Sequence, residues 1–98
     1  MQVNGFEVWE RPLSKSRLAI AVLNKQEIGG PRGFPVGTVP GWKICDPRCD
    51  VTLILPGYKE LGSQALDSKL VIAVNPSGTS LLTVTPTSNL EGHDYGLA

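Results

Sequence analysis

The sequence predicts an all-β fold, an antiparallel β-sandwich of about six to eight short strands in two packed sheets. Three observations lead there. Eleven glycines and eight prolines punctuate 98 residues, and they divide the apolar residues into runs of strand length rather than helix length. Several runs either alternate apolar with polar residues or concentrate Val, Ile, Leu and Thr, which suit a pleated surface. No amphipathic segment of helical length, heptad or internal repeat interrupts them.

Each element follows in order. Phe6 to Arg11 alternates, with Phe6 and Val8 on one face and Glu7, Trp9 and Arg11 on the other. If Phe6 and Val8 face the core, Trp9 faces outwards, where a bare indole calls for a cover. The inverted alternation would bury Trp9 instead. Pro12 to Ser16 reads as a turn. Arg17 to Asn24 is a near-continuous apolar run, so both faces of that strand are expected to be buried, as in a central strand. Gly29-Gly30-Pro31 breaks the chain. Arg32 to Val39 reads as a strand that Pro35 confines to an edge or a bulge, and Pro40-Gly41 is a turn signal. Asp50 to Leu55 is a firm strand, with Val51, Leu53 and Leu55 on one face and Thr52 and Ile54 on the other; Pro56-Gly57 ends it. Tyr58 to Gln64 reads as a polar edge strand, and Ala65 to Asp67 as a turn of helix. Ser68 to Val74 and Thr79 to Thr85 are expected to form a hairpin across Asn75-Pro76-Ser77-Gly78, with Gly78 taking the positive φ. The sandwich is expected to span residues 1–87, followed by a mobile tail over 88–98.

Composition then narrows the function. Nine basic and nine acidic residues give a formal net charge of zero, so no one-sided field draws in nucleic acid or an anionic membrane. The apolar run Leu18 to Leu23 falls far short of the roughly 20 residues a membrane helix needs, so no membrane insertion is expected. The segment Met1 to Phe6 has neither the basic nor the apolar region of a secretory signal.

The candidate chemistry is sparse. Cys45-Asp46-Pro47-Arg48-Cys49 brings two thiols close together. A zinc site needs more ligands than these two cysteines and His93 supply, and a redox pair is normally Cys-x-x-Cys at a helix start. A Cys–His nucleophile pair with His93 is a further alternative. The favoured reading is a small disulfide that closes the turn before the strand at Asp50. The acidic residues flank turns or lie on polar strand faces, and no spacing singles out a glycosidase pair. Phosphate loops, nucleotide fingerprints and serine elbows are missing. Asn75-Pro76-Ser77 is no glycosylation acceptor, because proline occupies its middle position. Trp42, after Pro40-Gly41 in a loop, is the candidate binding residue, because an exposed indole stacks on a sugar ring; core packing is its competing role. No catalytic residue, metal ligand set or cofactor is assigned.

Longer motifs carry a resemblance. Glu7-Val8-Trp9-Glu10-Arg11-Pro12-Leu13-Ser14, Asn24-Lys25-Gln26-Glu27-Ile28-Gly29-Gly30-Pro31-Arg32, the Cys45-Asp46-Pro47-Arg48-Cys49 element and Asn75-Pro76-Ser77-Gly78-Thr79 together resemble the last domain of the animal α-galactosidases of glycoside hydrolase family 27. Leu55-Pro56 and Leu61-Gly62 fall at matching spacings, so the resemblance runs from Phe6 to Thr85. It implies a β-sandwich that follows an amino-terminal (β/α)8 barrel. In that family the barrel holds two catalytic aspartates and releases terminal α-linked galactose with retention, and neither aspartate has a counterpart here. The resemblance further implies a Cys45–Cys49 disulfide, packing on the barrel, a homodimeric parent and a lysosomal or secreted location. The related α-N-acetylgalactosaminidases share this architecture. Gly33 to Ile44 and Ser63 to Asp67 depart from the family pattern, and Gly41-Trp42-Lys43 stands where family members carry extra sugar contacts. An accessory domain of a glycosidase is therefore the expected function. The alternative is an autonomous carbohydrate-binding module, which the scarcity of aromatics disfavours: two Trp, two Tyr and two Phe in all.

Overall fold

The computed structural model describes residues 1–87; the tail expected over 88–98 lies outside them. Eight strands form two antiparallel sheets: β1 (Gln2–Val3), β2 (Phe6–Pro12), β3 (Leu18–Asn24), β4 (Arg32–Pro35), β5 (Arg48–Leu55), β6 (Lys59–Ala65), β7 (Val71–Val74) and β8 (Thr79–Pro86). One sheet runs β1-β2-β3-β8-β5-β6, the other pairs β4 with β7. Two 3-10 segments, Val36–Thr38 and Pro40–Cys45, link β4 to β5.

The period of two along β3 sets the inner face. Leu18, Ile20, Val22 and Asn24 are buried, while Ala19, Ala21 and Leu23 on the opposite face are half-buried. The strand is central, between β2 and β8, as its apolar run predicts, but only one of its faces is fully covered. Phe6 and Val8 of β2 join the buried face and Trp9 points away from it. Asn4 and Gly5 turn β1 into β2 with φ of 50° and 88°, the pair of positive values that a two-residue hairpin matched to strand twist requires.

The small sheet closes the core from above. Phe34 of β4 meets Phe6 edge-on, with ring centroids 5.1 Å apart. The Arg32 guanidinium lies 4.6 Å from the centre of the Phe6 ring and donates to the Asn4 carbonyl at 2.8 Å. Buried Asn24 bridges the sheets: its Nδ2 donates to the Val74 carbonyl at 3.1 Å, and its Oδ1 accepts from the Gln26 N–H at 3.1 Å. An amide buried this way keeps its polar atoms partnered, which avoids the cost of stranding them.

Four expectations change. Asn75 to Gly78 does reverse the chain, with the Gly78 N–H donating to the Asn75 carbonyl at 2.8 Å, but β7 and β8 lie in different sheets. The connection is a crossing between sheets and not a hairpin, because both edges of β8 are taken by β3 and β5. Its positive φ, 56°, falls on Ser77. Next, β4 ends at Pro35, and the residues expected to extend it form the first 3-10 segment. Third, Leu66 and Asp67 form a turn rather than helix. Fourth, β5 carries an extra residue, Ile54, against β8: Leu53 pairs with Leu82 and Leu55 with Leu81. That bulge moves Leu55 onto the face opposite Leu53, since one added residue reverses the parity of a strand. On the other side Leu61 is the extra residue of β6, and Gly62 beside it takes φ of 82°, the conformation for which a bulge recruits glycine.

Candidate functional site

Two features of this frame bear on function: the disulfide-braced segment that carries Trp42, and the outer face of the large sheet. The segment begins where Pro35, which cannot donate to a ladder, ends β4. Thr38 Oγ1 donates to the Pro35 carbonyl at 2.7 Å, and the Val39 and Trp42 N–H groups donate to Val36 and Val39 carbonyls at 3.1 and 3.0 Å. Glu10 on β2 reaches over to accept from the Gly41 N–H at 2.7 Å. Gly41 has no room for more, since a Cβ there would run into the Glu10 carboxylate and the Leu18 side chain.

These bonds roll Trp42 inwards. It is 2% exposed, and its Nε1–H donates to the Leu66 carbonyl at 2.9 Å. The expected open-loop tryptophan is therefore corrected: the loop folds as a 3-10 helix, and burying the large indole outweighs leaving it in water. No face of the ring is free to stack on a sugar. Cys45 and Cys49 are joined as a disulfide with Cα atoms 4.8 Å apart, and both are fully buried. The bridge ties the end of the 3-10 helix to the start of β5, and the Leu66 N–H donates to the Pro47 carbonyl at 3.0 Å. The disulfide, Leu66 and Trp42 thus form one packed corner.

The outer face of the large sheet is the second feature. Registry places Trp9 opposite Ala21, Ala21 opposite Leu81 and Leu81 opposite Leu55, a row that crosses four strands over ~14 Å at the usual strand spacing. Its ends are open, with Trp9 at 54% and Leu55 at 46% exposure. Ala19 and Leu23 flank the middle on β3, which shows no polar side chain on this side. The other half of the face is polar, with Thr83 opposite Thr52, Thr52 opposite Glu60, and Asp50 between Thr85 and Ser63. Sequence parity identified Trp9. It missed Leu55, which the bulge delivers, and Leu81, which only strand order places in the row. The alanines opposite Leu18, Ile20 and Val22 were the readable signal of a low floor.

The carboxylates show no convergent arrangement. Glu7 pairs with the Met1 amino group at 3.2 Å, Glu10 holds Gly41, and Glu60 accepts from the Tyr58 hydroxyl at 3.1 Å. That hydrogen bond, with the charge of Glu60, raises the Tyr58 pKa above its ordinary 10.0. Among the described residues no three His, Cys, Asp or Glu side chains are grouped to hold a metal ion. His93 lies outside them.

A β-sandwich with a disulfide at this turn and these motifs can be compared with known proteins. Residues 1–78 match the family model of the alpha-galactosidase A carboxy-terminal beta sandwich domain. The chain belongs to that family. Alpha-galactosidase A of Homo sapiens is 41% identical to it over 95 residues, which cover 95% of this chain and 22% of the human protein. The chain thus spans about a fifth of the length of this relative.

Proposed function

We propose that this chain serves as the accessory carboxy-terminal domain of a glycoside hydrolase that releases terminal α-linked galactose. The catalytic site resides in a preceding barrel, and the sandwich packs against it and contributes to a homodimer in a lysosomal or secreted parent. The family match carries the reading: most of a relative of which this chain matches 22% lies outside it. The structure adds two supports. A retaining site needs two carboxyl groups about 5–5.5 Å apart across a sugar, whereas Glu7, Glu10 and Glu60 are each engaged in separate local contacts. An autonomous sugar-binding module would need an aromatic platform, and Trp42, the residue first expected to supply it, is in the core.

The test is an assay with a chromogenic α-galactoside on two purified proteins. One is the chain itself; the other is human alpha-galactosidase A with its own carboxy-terminal domain replaced by this chain. Turnover is expected only from the second. Turnover by the chain alone that disappears when one of its acidic residues is changed would overturn the proposal.

A further inference from the structure

Glycosidase accessory domains must present some face to the rest of the enzyme, and the described residues differ sharply in fitness for that task. The single exposed apolar residues Ile28 and Val71, at 85% and 56% exposure, lie on separate elements, and scattered exposure of this kind is ordinary. Trp9 and Leu55 instead close the two ends of one registered row whose middle is Ala21 and Leu81. The floor is low where β3 passes, because Ala19 and Ala21 stand opposite the large inward residues Leu18, Ile20 and Val22. A central strand that shows water only Ala, Ala and Leu is unusual for a sheet meant to keep a solvated face, where polar residues normally alternate with the apolar ones. A contiguous apolar patch rimmed by polar side chains marks an interaction site, and here Glu7 and Arg11 rim it on β2 while Thr52 and Thr83 rim it towards β5.

We infer that this outer face, the Trp9–Ala21–Leu81–Leu55 row with Ala19 and Leu23 beside it, is where the preceding catalytic domain of the same polypeptide docks, while the Asp50–Thr52–Glu60 half of the face stays in water. The inference rests on the accessory-domain reading above. Three observations choose that occupant. The family is defined as a carboxy-terminal domain, so the bulk of a relative's chain comes ahead of it. A domain joined ahead of β1 is tethered beside β2, the strand that carries Trp9, and a short tether supplies a high effective concentration. The docking surface is complementary to a partner that offers apolar side chains to fill the alanine floor and an acceptor for the indole N–H of Trp9.

Hydroxyl-radical footprinting read by mass spectrometry tests the inference on the chain alone and on the human enzyme carrying it as its carboxy-terminal domain. The oxidation rates of Trp9 and Leu55 are expected to fall several-fold in the joined protein, while Ile28 and Val71 label as in the free chain. Trp9→Ser in the joined protein should restore labelling of Leu55, and Trp9→Ser in the free chain should leave its thermal midpoint in place. Protection of Val71 or Ile28 with Trp9 still labelled would overturn the docking face and leave the accessory-domain reading standing. Unchanged labelling everywhere, with no α-galactosidase activity in the joined protein, would bring down both. A free Trp9→Ser chain that loses its midpoint would make Trp9 a residue of the fold's own packing and overturn the inference as well.

Discussion

Trp42 separates a structural role from a ligand-binding one, and substitution there has a calculable cost. The indole is 2% exposed and its Nε1–H is bonded to the Leu66 carbonyl at 2.9 Å. Replacing it with phenylalanine keeps most of the ring but removes part of its buried area and the donor. The lost area costs about 1 kcal/mol at ~25 cal/mol per Å2, and the unpartnered, partly buried carbonyl costs about 1 kcal/mol more. Trp42→Ala removes the whole ring and should cost about 4–5 kcal/mol, the range of large aromatic deletions in cores. Domains of this size are stable by only about 5–15 kcal/mol, and 1 kcal/mol moves the midpoint by about 4–8 °C. Trp42→Phe should therefore lower the thermal midpoint by ~8–16 °C, and Trp42→Ala should leave the chain at the edge of unfolding. Far-UV circular dichroism on heating measures both, with urea titration of the phenylalanine variant as a second reading. If both variants melted within a few degrees of the parent chain, Trp42 would not be a core residue and would be available to a ligand after all.

Other consequences follow from neighbouring contacts. Alkylation without reductant should label no thiol in the folded, oxidised chain, and opening the Cys45–Cys49 bridge should cost about 2 kcal/mol by loop-closure scaling; two labelled thiols would remove the braced turn. Gly41→Ala forces a methyl group against Glu10 and Leu18, so urea denaturation should show a loss of about 1–3 kcal/mol, as overpacking does elsewhere. Glu60→Gln should bring the Tyr58 pKa back towards 10.0, read as an ultraviolet titration of the phenol. The sign follows from the shift: with the folded value raised, the contact's small contribution is present below the ordinary phenol pKa and is lost as pH climbs through the raised one.

Much of this molecule can be read from residue order. The alternation in Phe6-Glu7-Val8-Trp9 reports which side of β2 meets the core, because a strand's side chains repeat every two residues whatever surrounds it. The run Leu18 to Leu23 marks a central strand, since only a strand with neighbours on both edges gathers so many apolar groups. Cys45 and Cys49, with the longer motifs, were enough to point to a bridge and a family. The tertiary structure decided what local signals are silent about. Asn75 to Gly78 turns the chain, but a turn does not dictate whether its flanking strands pair. β3 and β5 occupy both edges of β8, and β7 must find β4 in the other sheet. Parity counting also fails at Ile54, where one residue inserted against β8 turns Leu55 from the core side to the outer row, because the bulge depends on the partner strand. Trp42 follows the same rule: Pro40 and Gly41 mark a bend, but the cavity that takes the indole is assembled from β2, β5 and the turn at Leu66, which are distant in sequence and meet only when the sheets close.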